Sequence, residues 1–151
     1  MSYTIGEMAK LLDVPASTLR YYDKEGLLPF VKRTDGGIRV FENTDFEWLQ
    51  IINCMKKSGM SIIDIREYIH LTLEGNSTID ARLEMFKNQK EVLEKQIEEM
   101  NETLKTLEYK CWFYEIAKEA GTTDVPKNMP EKDIPKKYRK IRKELKRMGK
   151  N

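Results

Sequence analysis

Ser17, Arg20, Tyr21 and Lys24 stand three and four residues apart in "STLRYYDKEGLL", residues 17–28, so a helix there gathers hydroxyls and positive charge on one face. Leu19 and Tyr22 suit a different, core-facing stripe of the same helix. Such an outer face is equipped for hydrogen bonding to an anionic, oxygen-rich partner rather than for making or breaking bonds. Cys54, in "WLQIINCMKKSGMS", is a second reactive candidate. Lys57 follows one helical turn later on the same face, where its ammonium favours a thiolate. The opposing reading is packing, because cysteine is often buried and this one is flanked by Ile51 and Ile52. Cys111 falls on an apolar stripe and reads as packing, as do Trp48, Trp112, Phe113 and Tyr114.

Catalysis has little to stand on. His70 is the single histidine and has no partners nearby in sequence, and no nucleophile elbow, phosphate loop or acid–base set occurs. We therefore expect a non-enzyme without cofactor. The chain holds 34% charged and 40% apolar residues, with no run long enough to cross a bilayer and no signal-peptide layout. A cytoplasmic protein with reduced thiols is the expectation. Net charge is +2, but residues 127–151 carry 11 Lys/Arg against 3 acids, and residues 1–126 carry 16 against 22. Any anion site in the folded head must then come from local placement.

The elements that would position these groups are marked by caps and turns. Thr4 and Glu7 form a capping box for a helix with Ile5, Met8, Ala9 and Leu12 inward. "LDVPAS" breaks it, Pro15 suits the first turn of a second helix to about Lys24, and Gly26 is its left-handed stop. Two short helices so joined predict a helix-turn-helix. "FVKRTDGGIRVF" predicts a hairpin about an Asp35-Gly36 turn. A third helix starts after Asn43 or Thr44 and stops at Gly59, and Ser61 with Asp64 caps a fourth that ends near Glu74-Gly75.

From Ile79 the spacing alternates four and three through Leu83, Phe86, Lys90, Leu93, Ile97, Met100, Leu104, Leu107, Cys111 and Tyr114. Ten of these eleven are apolar, where random placement gives roughly four, so the heptad predicts a coiled coil. A helix over 79–120 would be about 63 Å long, and its seam calls for a second copy of the chain. After "GTTDVPKNMP" comes a short basic amphipathic helix, with Ile134, Tyr138, Ile141, Leu145 and Met148 at four-three spacing. That tail has three readings: docking on the acidic stretch "EKQIEEMNE", which we favour, contact with DNA, or an anionic membrane.

A recognition helix in a major groove needs short hydroxyl residues and arginine outward, which Ser17, Thr18, Arg20 and Tyr21 supply. A hairpin wing gripping the flanking backbone needs cations, which Lys32, Arg33 and Arg39 supply, while Gly36-Gly37 permits close approach to phosphate. The plain alternative is a solvated surface on a helix-turn-helix with no nucleic acid partner, or a coiled-coil adaptor.

"YTIGEMAKLLDVPASTLRYYDKEGLL", followed by "GGIRVF" and "MKKSGMSIIDI", resembles the MerR family of bacterial transcription regulators through residues 3–73. The resemblance implies a mainly α fold: a winged helix-turn-helix domain over 1–75, a long antiparallel coiled-coil dimerisation helix over 76–120, and a linker with a basic amphipathic helix over 121–151. It implies a homodimer, with Leu83, Phe86, Leu93, Ile97, Met100, Leu104 and Leu107 at the interface. Such a dimer binds double-stranded promoter DNA, bends and untwists it, and so aids RNA polymerase indirectly, typically as an activator in a stress response. It further implies base or phosphate contacts from Ser17, Thr18, Arg20 and Tyr21, backbone contacts from Arg33, Gly37 and Arg39, and a further phosphate contact from Lys56 or Lys57. Metal-responsive members carry cysteines near "EGNSTID" and "EAGTTDVPKN"; these segments have none, so no metal inducer is expected. The surroundings of Cys54 are similar to the branch that senses aldehydes and electrophiles through a lone thiol, which makes Cys54 the candidate effector-sensing residue.

Overall fold

Thr4 opens the first helix as its spacing from Glu7 requires: its hydroxyl accepts from the Glu7 amide at 3.3 Å, and its own amide donates to the Glu7 carboxylate at 2.8 Å. The computed structural model describes residues 1–149; the side chain of Met148 and residues 150 and 151 lie outside the described set. Its elements are β1 (Ser2–Tyr3), α1 (Ile5–Leu11), α2 (Ala16–Lys24), β2 (Lys32–Arg33), β3 (Arg39–Glu42), α3 (Asn43–Lys57), α4 (Ile62–Glu74), α5 (Ile79–Ala120), α6 (Asp124–Asn128) and α7 (Lys136–Met148). Short 3-10 turns precede α5 and α7. Two units are distinguished, Met1–Leu93 and Glu94–Asn151, and the division falls inside α5.

In the N-terminal unit, α2 follows Pro15 and ends where Gly26 takes φ +75°. Ser61 caps α4, its hydroxyl accepting from the Asp64 amide at 3.1 Å. Met8, Leu19, Leu27, Phe41, Leu49, Ile52 and Ile65 are fully buried and fuse α1–α4 and β3 into one core. Each such side chain contributes about 1.5–3 kcal/mol by leaving water. Met85, early in α5, packs against this core, and Gln89 donates to the Ser58 carbonyl at 2.7 Å. Aromatic rings run along one side: Phe30 stacks on Trp48 at 5.4 Å, and Tyr68 meets Phe86 edge-on at 5.1 Å. Trp48 is thus a packing residue, and His70 is exposed.

The sheet has three antiparallel strands in the order β1-β3-β2. β1, paired as Ser2↔Glu42 and Tyr3↔Phe41, has no counterpart in the sequence reading. Asp35 and Gly36 are the central residues of the hairpin turn, as their types predict, and Gly37 extends the loop by a third residue. Thr34 and Ile38 bracket three residues, the Gly37 amide donates to the Thr34 carbonyl at 2.8 Å, and Gly37 alone is left-handed at φ +80°. That is the three-residue loop in which the last position requires φ > 0.

Within the C-terminal unit, α7 packs through Ile134, just before it, and Tyr138 onto Tyr109, with Trp112, Phe113, Met129 and Ile141 around them. Arg142 donates to the carbonyls of Met129 and Lys127 at 2.8 and 2.9 Å, and Arg139 to that of Ile134 at 2.9 Å. The tail therefore docks chiefly on aromatic side chains near the end of α5, and it reaches the expected acidic stretch "EKQIEEMNE" through the charge of Lys140 acting on Glu102. An apolar stripe needs an apolar partner, and exposed carboxylates offer only screened attraction.

Candidate nucleic-acid interface

α2 turns two faces outward and inward as its sequence spacing demands. Leu19 and Tyr22 are buried, whereas Ser17, Arg20, Tyr21 and Lys24 are exposed, and Thr18 is half-buried. The Arg20 side chain has no ion-pair or hydrogen-bond partner among the described residues. Burial, and secondarily the neighbouring Tyr21, push the Tyr22 phenol above its usual range.

The wing is joined to this helix through Asp23. Its carboxylate accepts from Arg33 Nη2 at 2.7 Å and from Arg39 Nε at 2.9 Å, with Arg39 Nη2 also bonded to the same oxygen. The Asp23 side chain is only 14% exposed. Burial alone would raise its pKa, but the hydrogen bonds and charges of Arg39 and then Arg33 outweigh it and hold the group below the usual carboxylate range. Arg33 also donates to the Gly37 carbonyl at 3.2 Å, so the strand before the loop holds the loop's left-handed residue. Arg33 remains half-exposed, whereas Arg39 is more deeply placed. Arg33 and Arg39, two of the three expected wing cations, thus each carry a structural contact as well. At the base of the wing, Lys32 bonds Glu42 at 2.7 Å across β2 and β3.

Sequence reasoning missed Asp23, because its partners lie ten and sixteen residues away and a lone acid in a basic helix reads as solvated. It also missed Arg66, which donates to the Glu25 carbonyl at 2.8 Å and so ties α4 to the end of α2.

Lys56 and Lys57 are exposed in the last turn of α3, where cations complement the helix dipole. Cys54 is exposed on the same helix. It borders an open groove of about 550 Å³ with Leu11, Leu12, Asp13, Asn53, Lys57 and Leu93. In the single chain its thiol is therefore not part of the N-terminal core. Of the expected dimer residues, Leu83, Phe86 and Leu93 in the first unit and Ile97, Met100, Leu104 and Leu107 in the second are all exposed in the single chain. Cys111 is exposed as well. Among the described residues no group of His, Cys, Asp and Glu is arranged to hold a metal ion, and no helix is long and apolar enough to cross a membrane.

Residues 3–71 match the profile of the MerR HTH family of regulatory proteins, and residues 46–109 match a second, described as MerR, DNA binding. An uncharacterized HTH-type transcriptional regulator of Haemophilus influenzae is 42% identical over 131 residues, 87% of this chain and 96% of that protein. The HTH-type transcriptional regulator AdhR of Bacillus subtilis is 40% identical over 89 residues, 59% of this chain and 64% of AdhR. Among solved structures, HiNmlR, a MerR family regulator lacking the sensor domain and crystallised bound to promoter DNA, superposes with a TM-score of 0.79 at 42% identity, covering 86% of this chain and 98% of that one. A MerR family regulator of Bacillus thuringiensis gives 0.68 at 39% identity, covering 74% and 97%. With both halves of the family pattern present and relatives aligned almost end to end, this chain belongs to the MerR family of helix-turn-helix transcriptional regulators.

Proposed function

We propose that the protein binds double-stranded promoter DNA as a homodimer and changes the duplex's shape so that RNA polymerase engages it. The observation that carries this reading is the exposed Ser17–Arg20–Tyr21 face, with Arg20 unpaired among the described residues, on a helix clamped to a two-stranded wing through Asp23. Thr18 and Tyr21 supply further base or phosphate contacts, Arg33, Gly37 and Arg39 meet the flanking backbone, and Lys56 or Lys57 meets a further phosphate. Dimer formation covers the heptad residues of α5, which otherwise leave an apolar seam in water. A coiled-coil adaptor would explain that seam but gives no use for the clamped wing. The test is binding to the gene's own upstream region at two salt concentrations, with scrambled DNA as control. Selective, salt-steep binding supports the regulator, and equal weak binding to both duplexes contradicts it.

Cys54 is the switch in this reading, since it is exposed beside Lys57 on the rim of an open groove. Its thiolate sulfur adds to the β-carbon of an unsaturated aldehyde; the carbon–carbon double bond opens and the α-carbon takes a proton from water. The adduct adds bulk where α1, α3 and Leu93 meet. Transcription from the upstream region should respond to such an aldehyde with wild type and not with Cys54→Ser. Equal responses from the two proteins would remove Cys54 from the mechanism.

A further inference from the structure

The outer face of α7 carries a row of cations that nothing above uses. Lys136, Lys140, Lys143 and Arg147 stand at i, i+4, i+7 and i+11, and all four are exposed. Tyr138, Ile141 and Arg142 occupy the opposite, inward side. The row is about 16 Å long, over which a duplex presents roughly ten phosphates.

This row is presented on a fixed support. Tyr138 is buried against Tyr109 and Trp112, with ring centroids 5.9 and 5.6 Å apart, and the Arg139 and Arg142 guanidinium groups bond backbone carbonyls beneath the helix. Little of the outer charge is neutralised. Lys143 pairs with Glu131 at 2.9 Å, Lys140 reaches Glu144 only at 4.0 Å and also acts on Glu102 of α5, and exposed pairs of this kind are weak and screened by salt. Lys136 and Arg147 have no ion-pair partner among the described residues.

The distribution of charge points to what this face meets. Residues 1–75 hold 9 cations and 11 anions, so the head that reads DNA has no net attraction for it at a distance. Residues 127–151 hold an excess of eight cations. We propose that the Lys136–Arg147 face of α7 binds DNA phosphates outside the segment read by the winged heads, and supplies the sequence-independent part of the affinity. The proposal rests on the DNA-binding reading above and extends it to a second contact surface.

The test uses the full chain with the triple substitution Lys136→Gln, Lys140→Gln, Arg147→Gln, whose side chains are exposed and leave the Tyr109–Tyr138 packing alone. Binding is measured across a salt series on two promoter duplexes, one trimmed to the recognised sequence and one extended by a further helical turn or two on each side. Wild type should bind the extended duplex more tightly and with a steeper salt slope. The variant should match wild type on the trimmed duplex and lose that gain on the extended one. Its log–log slope should fall by about 0.9 for each phosphate no longer neutralised, and its affinity roughly tenfold for two such phosphates. A charge-keeping variant, Lys136→Arg and Lys140→Arg with Arg147 retained, should behave as wild type in both. If wild type is sequence-selective but the variant matches it on the extended duplex, the α7 contact is wrong and the regulator reading stands. If the variant loses binding to anionic lipid vesicles with DNA binding intact, the face belongs to a membrane and the proposal also falls. If wild type does not distinguish promoter from scrambled DNA, the underlying reading fails and takes this one with it.

Discussion

Asp23 on α2 and Arg39 on β3, sixteen residues apart in the chain, share two hydrogen bonds through one carboxylate oxygen, and Arg33 of β2 adds a third. One short acidic side chain therefore ties α2, with its exposed Ser17–Arg20–Tyr21 face, to the wing beside it. A charge-assisted network of this kind is stronger than neutral hydrogen bonds and loses its purpose when the acceptor is uncharged.

Asp23→Asn should lower stability by about 2 kcal/mol, the range for hydrogen bonds to a charged group, and weaken promoter binding by misplacing the wing. The pH dependence follows from the depressed pKa. The folded value lies below the usual 3.8, so the stabilisation is complete above the ordinary carboxylate range and lost as pH falls through the lowered value. Denaturation curves of wild type and Asp23→Asn should differ at neutral pH and converge in acid. A constant gap throughout would assign the residue another role.

Arg20→Ala removes the exposed guanidinium of α2, unpaired among the described residues, while leaving the buried Leu19 and Tyr22 in place. Promoter affinity should fall by about 1–3 kcal/mol with little change in melting temperature. A competition assay against single-base variants of the site checks whether discrimination at one position relaxes.

Leu104→Lys places a cation in the exposed apolar stripe of α5, where the single chain tolerates it and a paired helix does not. Sedimentation should show wild type as a dimer and the variant shifted towards monomer, with promoter binding lost in parallel.

Tyr138→Ala should destabilise the C-terminal unit by about 3–5 kcal/mol, because this buried ring bridges Tyr109 and Trp112. Hydrogen exchange should quicken over Ile134–Leu145 while protection in α1–α4 is unchanged.

Local signals were legible wherever partners sit within a turn of each other. Thr4 with Glu7 and Ser61 with Asp64 each bond as their spacing requires, and Gly26 ends its helix left-handed. The wing was visible as a hairpin, but the choice between Gly36 and Gly37 for the left-handed position depends on whether the loop has two or three residues, and composition does not decide that. β1 left no trace because two residues carry no periodicity; only its pairing with Phe41 and Glu42 makes it a strand. The Asp23 clamp and the Arg66–Glu25 tie are long-range, so neither is written in spacing. For α7 the apolar spacing was plain and its partner was not, since the aromatic cluster it meets looks like ordinary heptad packing until the chain turns back at Gly121.

Most direct is a mobility assay of the purified full chain on its own upstream duplex, run beside sedimentation at the same concentration. The account predicts one discrete complex holding two protein copies per duplex, displaced by the same sequence and not by scrambled DNA. A monomer that binds both duplexes alike would contradict it.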